Sequence, residues 1–513
     1  MLSPEYLDTL PDALVELWQQ VEDDILRDIA RRIAKLEDVS DMVQWQAWRL
    51  QQIRAIQRDV VEIIARSSGK SKATIRTLLR KAGADALAAD DDRYRAWGFA
   101  PSSIDSSPQL HNLLSAGYRQ TWGEWQNLTR TTARTISGAF ERALDRAWLQ
   151  VSSGAFDYQT AARRACRTLA DRLPAVTYPS GHTDTLEVAA RRALLTGVNQ
   201  TCAKLQDARM DEMGCEFVEV TAHGGARPEH AVWQGKVYHR GGAIELDGVL
   251  YVDFETATGY GTGAGLCGWG CRHNFSPFWP GVDTPLYTQQ QLDQLNARDI
   301  EYNGAMYTRY EITQMQRAKE RAVRRYKKRF LTEQTAGLDT GETSVRLKAA
   351  RQDLKQFVAD TDGHDPADRV MVPGFGRSEA AKATAAAKAL EKAQERAILV
   401  EKIRTAGNLP KAAKLHLEPT QIDIDALTFD YAHINKERAH HISAEQAKGF
   451  IKNASISVTV WNGRFERYYG KDGASYVNLE TQRIRTSFSA QEFDGHTQAI
   501  IKELEQNGLL RER

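Results

Sequence analysis

Between Thr221 and Asp283 the chain stops reading as helix, and this stretch constrains the fold more than any other. It opens TAHGGARPEHAVWQGKVYHRGG and closes YGTGAGLCGWGCRHNFSPFWPG. Crowded glycines permit positive φ and tight reversals, so loops and short strands are expected. Helical pattern dominates ahead of it. Behind it come a charged helical stretch and a compact α+β tail. Three of the five cysteines, Cys215, Cys267 and Cys271, fall in or just before it.

The block carries a candidate ligand set. His223 and His230 form H-x6-H, and Cys267 and Cys271 form C-x3-C, with His273 close behind. Two imidazoles and two thiolates suit a structural zinc, and a loop-rich block with little aliphatic content gains from a metal staple. The same residues also suit small buried thiols and histidines bonded to loop backbone, and the spacing leaves both readings open. A cysteine nucleophile lacks a base placed beside it. GTGAGLCG lacks the Lys-Ser/Thr that a phosphate loop needs.

Read in order, residues 11–35 carry Leu14, Leu17, Trp18, Val21, Ile25 and Ile29 at helical spacing. A second helix holds Trp45, Trp48, Ile53, Ile56, Val60 and Ile63, and is expected to end near Ser67-Ser68-Gly69. A third runs from Lys70 to Ala89, and Asp90-Asp91-Asp92 is expected to break it. Helices continue over Leu110–Ser152, Tyr158–Leu173 and Thr185–Met213, followed by a strand at Glu216–Thr221. Trp18, Trp45, Trp48, Trp97, Trp122 and Trp125 read as core and interface anchors, ahead of a partner-binding aromatic set. Arg317–Arg329, RAKERAVRRYKKR, reads as a solvated helix face or as a contact for DNA phosphates. Ser378–Arg404 is alanine- and lysine-rich with poor apolar spacing, as in a semi-rigid helical linker.

The last hundred or so residues change character. Ser443 and Gln446 form a capping-box pair, with Ala447, Phe450 and Ile451 as the stripe of the helix they open. Ile456, Val458 and Val460 alternate, as do Ile484, Thr486 and Phe488, with turns at Asn462-Gly463 and Lys471-Asp472-Gly473. The fold class is therefore multidomain. A mainly α region (1–175) is followed by the irregular α+β block (176–290), a charged helical region with linker (291–404) and a small α+β domain (405–513).

Composition bounds the function. With 513 residues the chain needs several cores, and a formal net charge of +1 gives no global pull toward nucleic acid or membrane. There is no apolar run long enough to span a membrane. The first residues lack the plan of a signal peptide, and five unevenly spaced cysteines are not a disulfide framework, so synthesis in a reducing bacterial cytoplasm is expected.

In the tail, His433, Arg438, His440 and His441 fall within nine residues. Imidazoles near a guanidinium suit metal-independent phosphodiester cleavage, with no cofactor. One His takes a proton from a ribose 2′-OH and another protonates the leaving oxygen. Arg438 and Arg485 can stabilise the phosphoryl charge, and Thr486 can bond a phosphate oxygen. Capping histidines and surface arginines would leave the same trace.

Two resemblances sharpen this. RRALLTGVNQ, VTAHGGARPEHAVWQGKVY, YGTGAGLCGWGCRHNFSPFWPG, the later basic helix and VPGFGR together resemble the phage minor capsid protein family, related to Mu-F-like head morphogenesis proteins, over roughly residues 1–380. That likeness implies a virion protein at or near the portal. Its partners would be portal and capsid proteins and DNA in the head. AHINKERAHHISAEQAKGFI, GRFERYYGKDGASYV and IRTSFSAQEFD look like barnase/EndoU-like nuclease domains of phage head proteins and polymorphic toxins, over about 410–513. That likeness implies an RNase effector acting on RNA, with His433, Arg438 and His440 in its H-x4-R-x-H pattern, and an immunity protein as a further partner. The alternatives are a purely structural virion protein with an inactive tail that only binds, and a host-encoded polymorphic toxin on a capsid-like carrier.

Overall fold

The computed structural model describes residues 1–35, 42–172, 175–178 and 183–511. The chain divides into two compact units, Met1–Ala387 and Lys388–Arg513. The first unit begins with α1 (Pro4–Thr9), α2 (Asp12–Ala34), α3 (Met42–Ala96), α4 (Pro108–Ser152) and α5 (Tyr158–Arg172). A short antiparallel pair, β1 (Ala175–Thr177) and β2 (Thr183–Thr185), leads into α6 (Leu186–Met213), which Thr185 caps.

α3 differs from expectation. It runs unbroken through Ser67–Gly69 and through Asp90–Asp92. Ser71 Oγ donates to the Ser67 carbonyl at 3.0 Å, a bond made within the helix. Asp90 accepts from the Met1 ammonium at 3.0 Å and from Gln206 at 3.1 Å, and Asp91 pairs with the buried Arg209 at 2.8 Å. These tertiary partners override a local propensity that is weak per residue.

The tryptophans are mostly core. Trp18 packs edge-on against Trp125 at 5.4 Å, and Trp45 stacks on Trp148 at 4.8 Å. α4 and α6 approach closely through two small notches. A Cβ on Gly117 would stand 2.2 Å from Thr201 Oγ1, and one on Gly197 would stand 2.3 Å from Thr121 Oγ1.

The glycine-rich block follows as β3 (Phe217–Val220), α7 (Pro228–Ala231), β4 (Val237–His239), the hairpin β5 (Ile244–Leu246) and β6 (Val249–Tyr251), α8 (Phe254–Thr258) and β7 (Phe275–Phe278). β3 is the fully buried centre of a three-stranded antiparallel sheet in the order β4-β3-β7. Between α8 and β7 the backbone folds on itself. A Cβ on Gly265 would meet the Gly259 carbonyl oxygen at 2.0 Å, and one on Gly268 would meet the Gly263 oxygen at 2.4 Å. Only glycine permits such an approach of backbone to backbone.

After α9 (Gln289–Leu295) and the hairpin β8 (Arg298–Tyr302) and β9 (Ala305–Thr308), α10 (Arg309–Thr335) carries the basic run. Much of that charge is spent inside the protein and not on a solvated face. Lys319 pairs with Asp353 at 2.7 Å, Arg324 with Glu187 at 3.0 Å, Lys328 with Glu22, and Arg329 with Asp171. Lys327 is buried and donates to the Val370 carbonyl at 2.5 Å. α10 is therefore a docking element, crossing α2, α5 and α11 (Gly341–Thr361).

α12 (Arg377–Ala406) contains the division between the units. The segment expected as a linker is helical, and it also contributes to packing. Ala383 lies in the core beside α10 and α11, while Ile403 lies in the core of the second unit. The second unit continues with β10 (Lys414–His416), β11 (Thr428–Phe429), α13 (Ala444–Lys452), β12 (Ile456–Val460), β13 (Phe465–Tyr469), β14 (Gly473–Asn478), β15 (Arg483–Ser489) and α14 (Gly495–Gln506). Its six strands order as β10-β12-β13-β14-β15-β11, antiparallel except for β11 beside β15. The expected capping box at Ser443 and Gln446 is present, and both expected turns join neighbouring strands. One core (Ile456, Val458, Val460, Ile500, Leu504) forms with α14. A second (Ala447, Ile451, Tyr468, Val477, Ile484) forms with α13.

Candidate functional site

The buried His/Cys cluster lies where α6, α7 and the loop before β7 meet. Asn199, wholly buried on α6, donates to the carbonyls of Cys271 (3.1 Å) and His273 (2.9 Å) and accepts from Asn274 (2.8 Å). Thr196 on the same helix accepts from the Gly270 N–H at 3.1 Å. These bonds hold the loop so that Cys271 Sγ lies 3.5 Å from His273 Nδ1 and 3.7 Å from His230 Nδ1. His230, Cys271 and His273 are all buried, with ligand atoms within 4.8 Å of one another.

Three of the five sequence-predicted ligand positions thus come together, in a set different from the H-x6-H and C-x3-C pairing. His273 joins His230 and Cys271. His223 sits just outside: its ring stacks on His273 at 4.4 Å, and its Nδ1 faces the Gly224 carbonyl at 3.1 Å. Cys267 takes a left-handed conformation (φ 59°), and its thiol turns toward the His273 carbonyl at 3.6 Å. Burial holds His230 and His273 below the ordinary imidazole range, and burial with nearby Arg272 lowers His223 to about 4. Burial pushes both the Cys267 and Cys271 thiols up. Sequence reasoning missed Asn199 and Gln234 as the residues that organise this cluster. Neither amide stands out in sequence, since Asn199 is followed by Gln200 and Thr201 and Gln234 by Gly235 and Lys236.

In the second unit the tail motif forms a π-helical turn, Ala432–Glu437, then a tight loop. Such turns recur at functional sites. Ala439 (φ 56°) and His441 (φ 53°) both occupy the left-handed region, which costs each about 1–2 kcal/mol. Asn435 clamps this loop, donating to the Ile442 carbonyl at 2.8 Å and accepting from its N–H at 2.9 Å.

The predicted residues fall in two adjoining groups along β15. In one, the His433 N–H donates to Asp430 at 3.2 Å, and Asp430 pairs with Arg483 at 2.8 Å and with Arg485. Burial opposes the Asp430 charge, but the His433 N–H and the two guanidinium groups outweigh it and hold the carboxyl below its usual range. Arg485 is a bulge residue, because Tyr476 pairs with Thr486 and Val477 with Ile484. In the other group, His440 Nδ1 lies 2.9 Å from Glu492, with its ring 5.6 Å from Phe488. Thr486 shares the Phe488 face of β15. Arg438, between His433 and His440 in sequence, is exposed. His433 Nδ1 likewise meets a carboxylate, Glu437, at 2.7 Å. An ionised carboxylate only accepts, so each imidazole donates from Nδ1 and keeps Nε2 for chemistry. Tyr476, with Arg467 stacked over its ring at 4.9 Å, borders the same face and was not singled out from the sequence.

The phage minor capsid protein 2 family matches residues 2–359, and the chain belongs to that family. The protein is a structural component of a phage virion, and it associates there with other virion proteins. It is 24% identical over 325 residues to the "Structural protein" of Lactococcus phage LL-H, covering 60% of this chain and 81% of that protein. No solved structure matches. The family match ends before the second unit begins. Among the described residues, no helix is long and apolar enough to cross a membrane.

Proposed function

We propose that this minor capsid protein acts near the portal in head morphogenesis and carries, in Lys388–Arg513, an RNase-like effector. One observation carries the second half. His433 lies on the π-helical turn, Arg438 and His440 lie on the clamped loop whose Ala439 and His441 are left-handed, and His433 and His440 each have a carboxylate orienting the ring. One imidazole Nε2 takes the ribose 2′-O–H proton as O2′ bonds to phosphorus. The P–O5′ bond breaks, the other imidazole gives its proton to O5′, and a 2′,3′-cyclic phosphate is left. In this reading Arg438 and Arg485 supply positive charge for the phosphoryl oxygens, and Thr486 can bond one of them.

The test is cleavage of labelled RNA by the full chain and by the fragment 388–513. A fragment starting at 405 would lose Leu399 and Ile403 from the core. His433→Ala or His440→Ala is expected to lower the rate by about 10²- to 10⁴-fold. A wild-type chain that leaves every RNA intact would sink the enzyme reading in favour of an inert binding tail.

A further inference from the structure

We propose that His230 Nδ1, Cys271 Sγ and His273 Nδ1 bind one zinc ion, with water in the fourth position. Zinc–thiolate and zinc–imidazole bonds of about 2.3 and 2.05 Å at a tetrahedral angle put S and N about 3.6 Å apart. The two observed separations are 3.5 and 3.7 Å.

The outer contacts aim both lone pairs at the sulfur. His273 Nε2 lies 3.0 Å from Gln234 Oε1. That oxygen also accepts from the His223 N–H at 3.0 Å, while the Gln234 amide nitrogen donates to Asn296. The amide orientation is therefore fixed, and His273 must donate from Nε2. His230 Nε2 lies 2.9 Å from the Ala264 carbonyl, which can only accept. Both Nδ1 atoms are then unprotonated and face one sulfur. A thiol has one proton and can satisfy only one of them. A cation bridging all three satisfies both, and carbonyl or amide anchoring of the far imidazole nitrogen is the usual second shell of a metal-bound histidine.

A metal-free arrangement exists, in which Arg227 donates to His230 Nε2 at 3.0 Å and His230 Nδ1–H donates to the sulfur. It sets an imidazole lone pair against the Ala264 oxygen. Arg227 is half-buried on a long stem and can turn away, whereas Ala264 is held in the glycine-rich knot. One thiolate with two imidazoles favours zinc over hard cations, and binding displaces the thiol proton to solvent.

Metal content of the full chain, produced with zinc in the medium and freed of loose metal by gel filtration, tests this. About one zinc per chain is expected. Cys271→Ser and His273→Gln should each lower the content at least roughly tenfold. Cys267→Ser, outside the ligand set, should keep it. Should the ligand variants fail to fold, the wild-type chain loaded with Co(II) still decides. A near-ultraviolet thiolate-to-cobalt band and intense tetrahedral visible bands support the site. A wild-type chain that takes up no zinc or cobalt, or a folded Cys271→Ser variant that keeps its full zinc load, overturns it.

Discussion

Asn199→Ala tests how the loop of the first unit is held. The residue is wholly buried, and its amide serves two carbonyls and one N–H at 2.8–3.1 Å. Truncation leaves the Cys271 and His273 carbonyls and the Asn274 amide without these partners. Each buried group so stranded costs about 1–3 kcal/mol, giving roughly 3–9 kcal/mol in all. That is a large share of the 5–15 kcal/mol typical of a domain. Native-state hydrogen exchange is the direct assay. The His273 and Asn274 amides, which donate to Cys271 Sγ and Thr221 Oγ1, should exchange at least roughly 10²-fold faster. Gln200→Ala, one residue on, removes a long contact to Gln120 at 3.5 Å and should change exchange by less than about twofold. Equal, small effects of the two substitutions would refute the latch.

Gly265→Ala forces a Cβ onto the Gly259 carbonyl, and neither backbone can yield. A loss of about 3 kcal/mol is expected, seen as a lower unfolding midpoint or loss of soluble chain, whereas Gly69→Ala, in open space, should be neutral or slightly stabilising. Burial, reinforced by Arg351 and Arg324, lowers Lys327 to about 8. The unfolded chain, with an ordinary value of about 10.4, holds more protons across that window, so stability rises as pH climbs from about 8 to 10.4. Urea midpoints should show this slope in the wild type and a flatter one in Lys327→Met.

Much of the fold was legible because it is written in local pattern. The spacing of Leu14, Trp18, Val21 and Ile25 and the capping box at Ser443 each specify an element from a few neighbouring residues. What stayed hidden depends on partners distant in sequence. Asp90 and Asp91 look like breakers until Met1 and Arg209 reach them. The basic run looks solvated until Asp353, Glu187 and Asp171 arrive from other helices. The candidate metal cluster shows the same limit. H-x6-H and C-x3-C suggest a set of two histidines and two cysteines, but left-handed backbone at Cys267 turns that thiol away, and His273 stands with His230 and Cys271. In the tail the residue types were readable, yet Asp430, Glu437 and Glu492, which orient them, are acidic residues with no distinguishing spacing.

The paired notches between α4 and α6 act as a two-toothed key. Gly117 receives Thr201 and Thr121 fits Gly197, one turn apart on each helix and in opposite order. Sliding one helix by a turn in one direction sets Thr121 against Thr201, so two side chains collide where the axes are closest. Sliding it the other way sets Gly117 against Gly197 and opens a void. Both errors are penalised by steric fit alone, without any charge or directed bond. A protein that must hold its shape among virion neighbours thus carries a mechanical stop against helix slippage, and changing either tooth requires the opposite change in its mate.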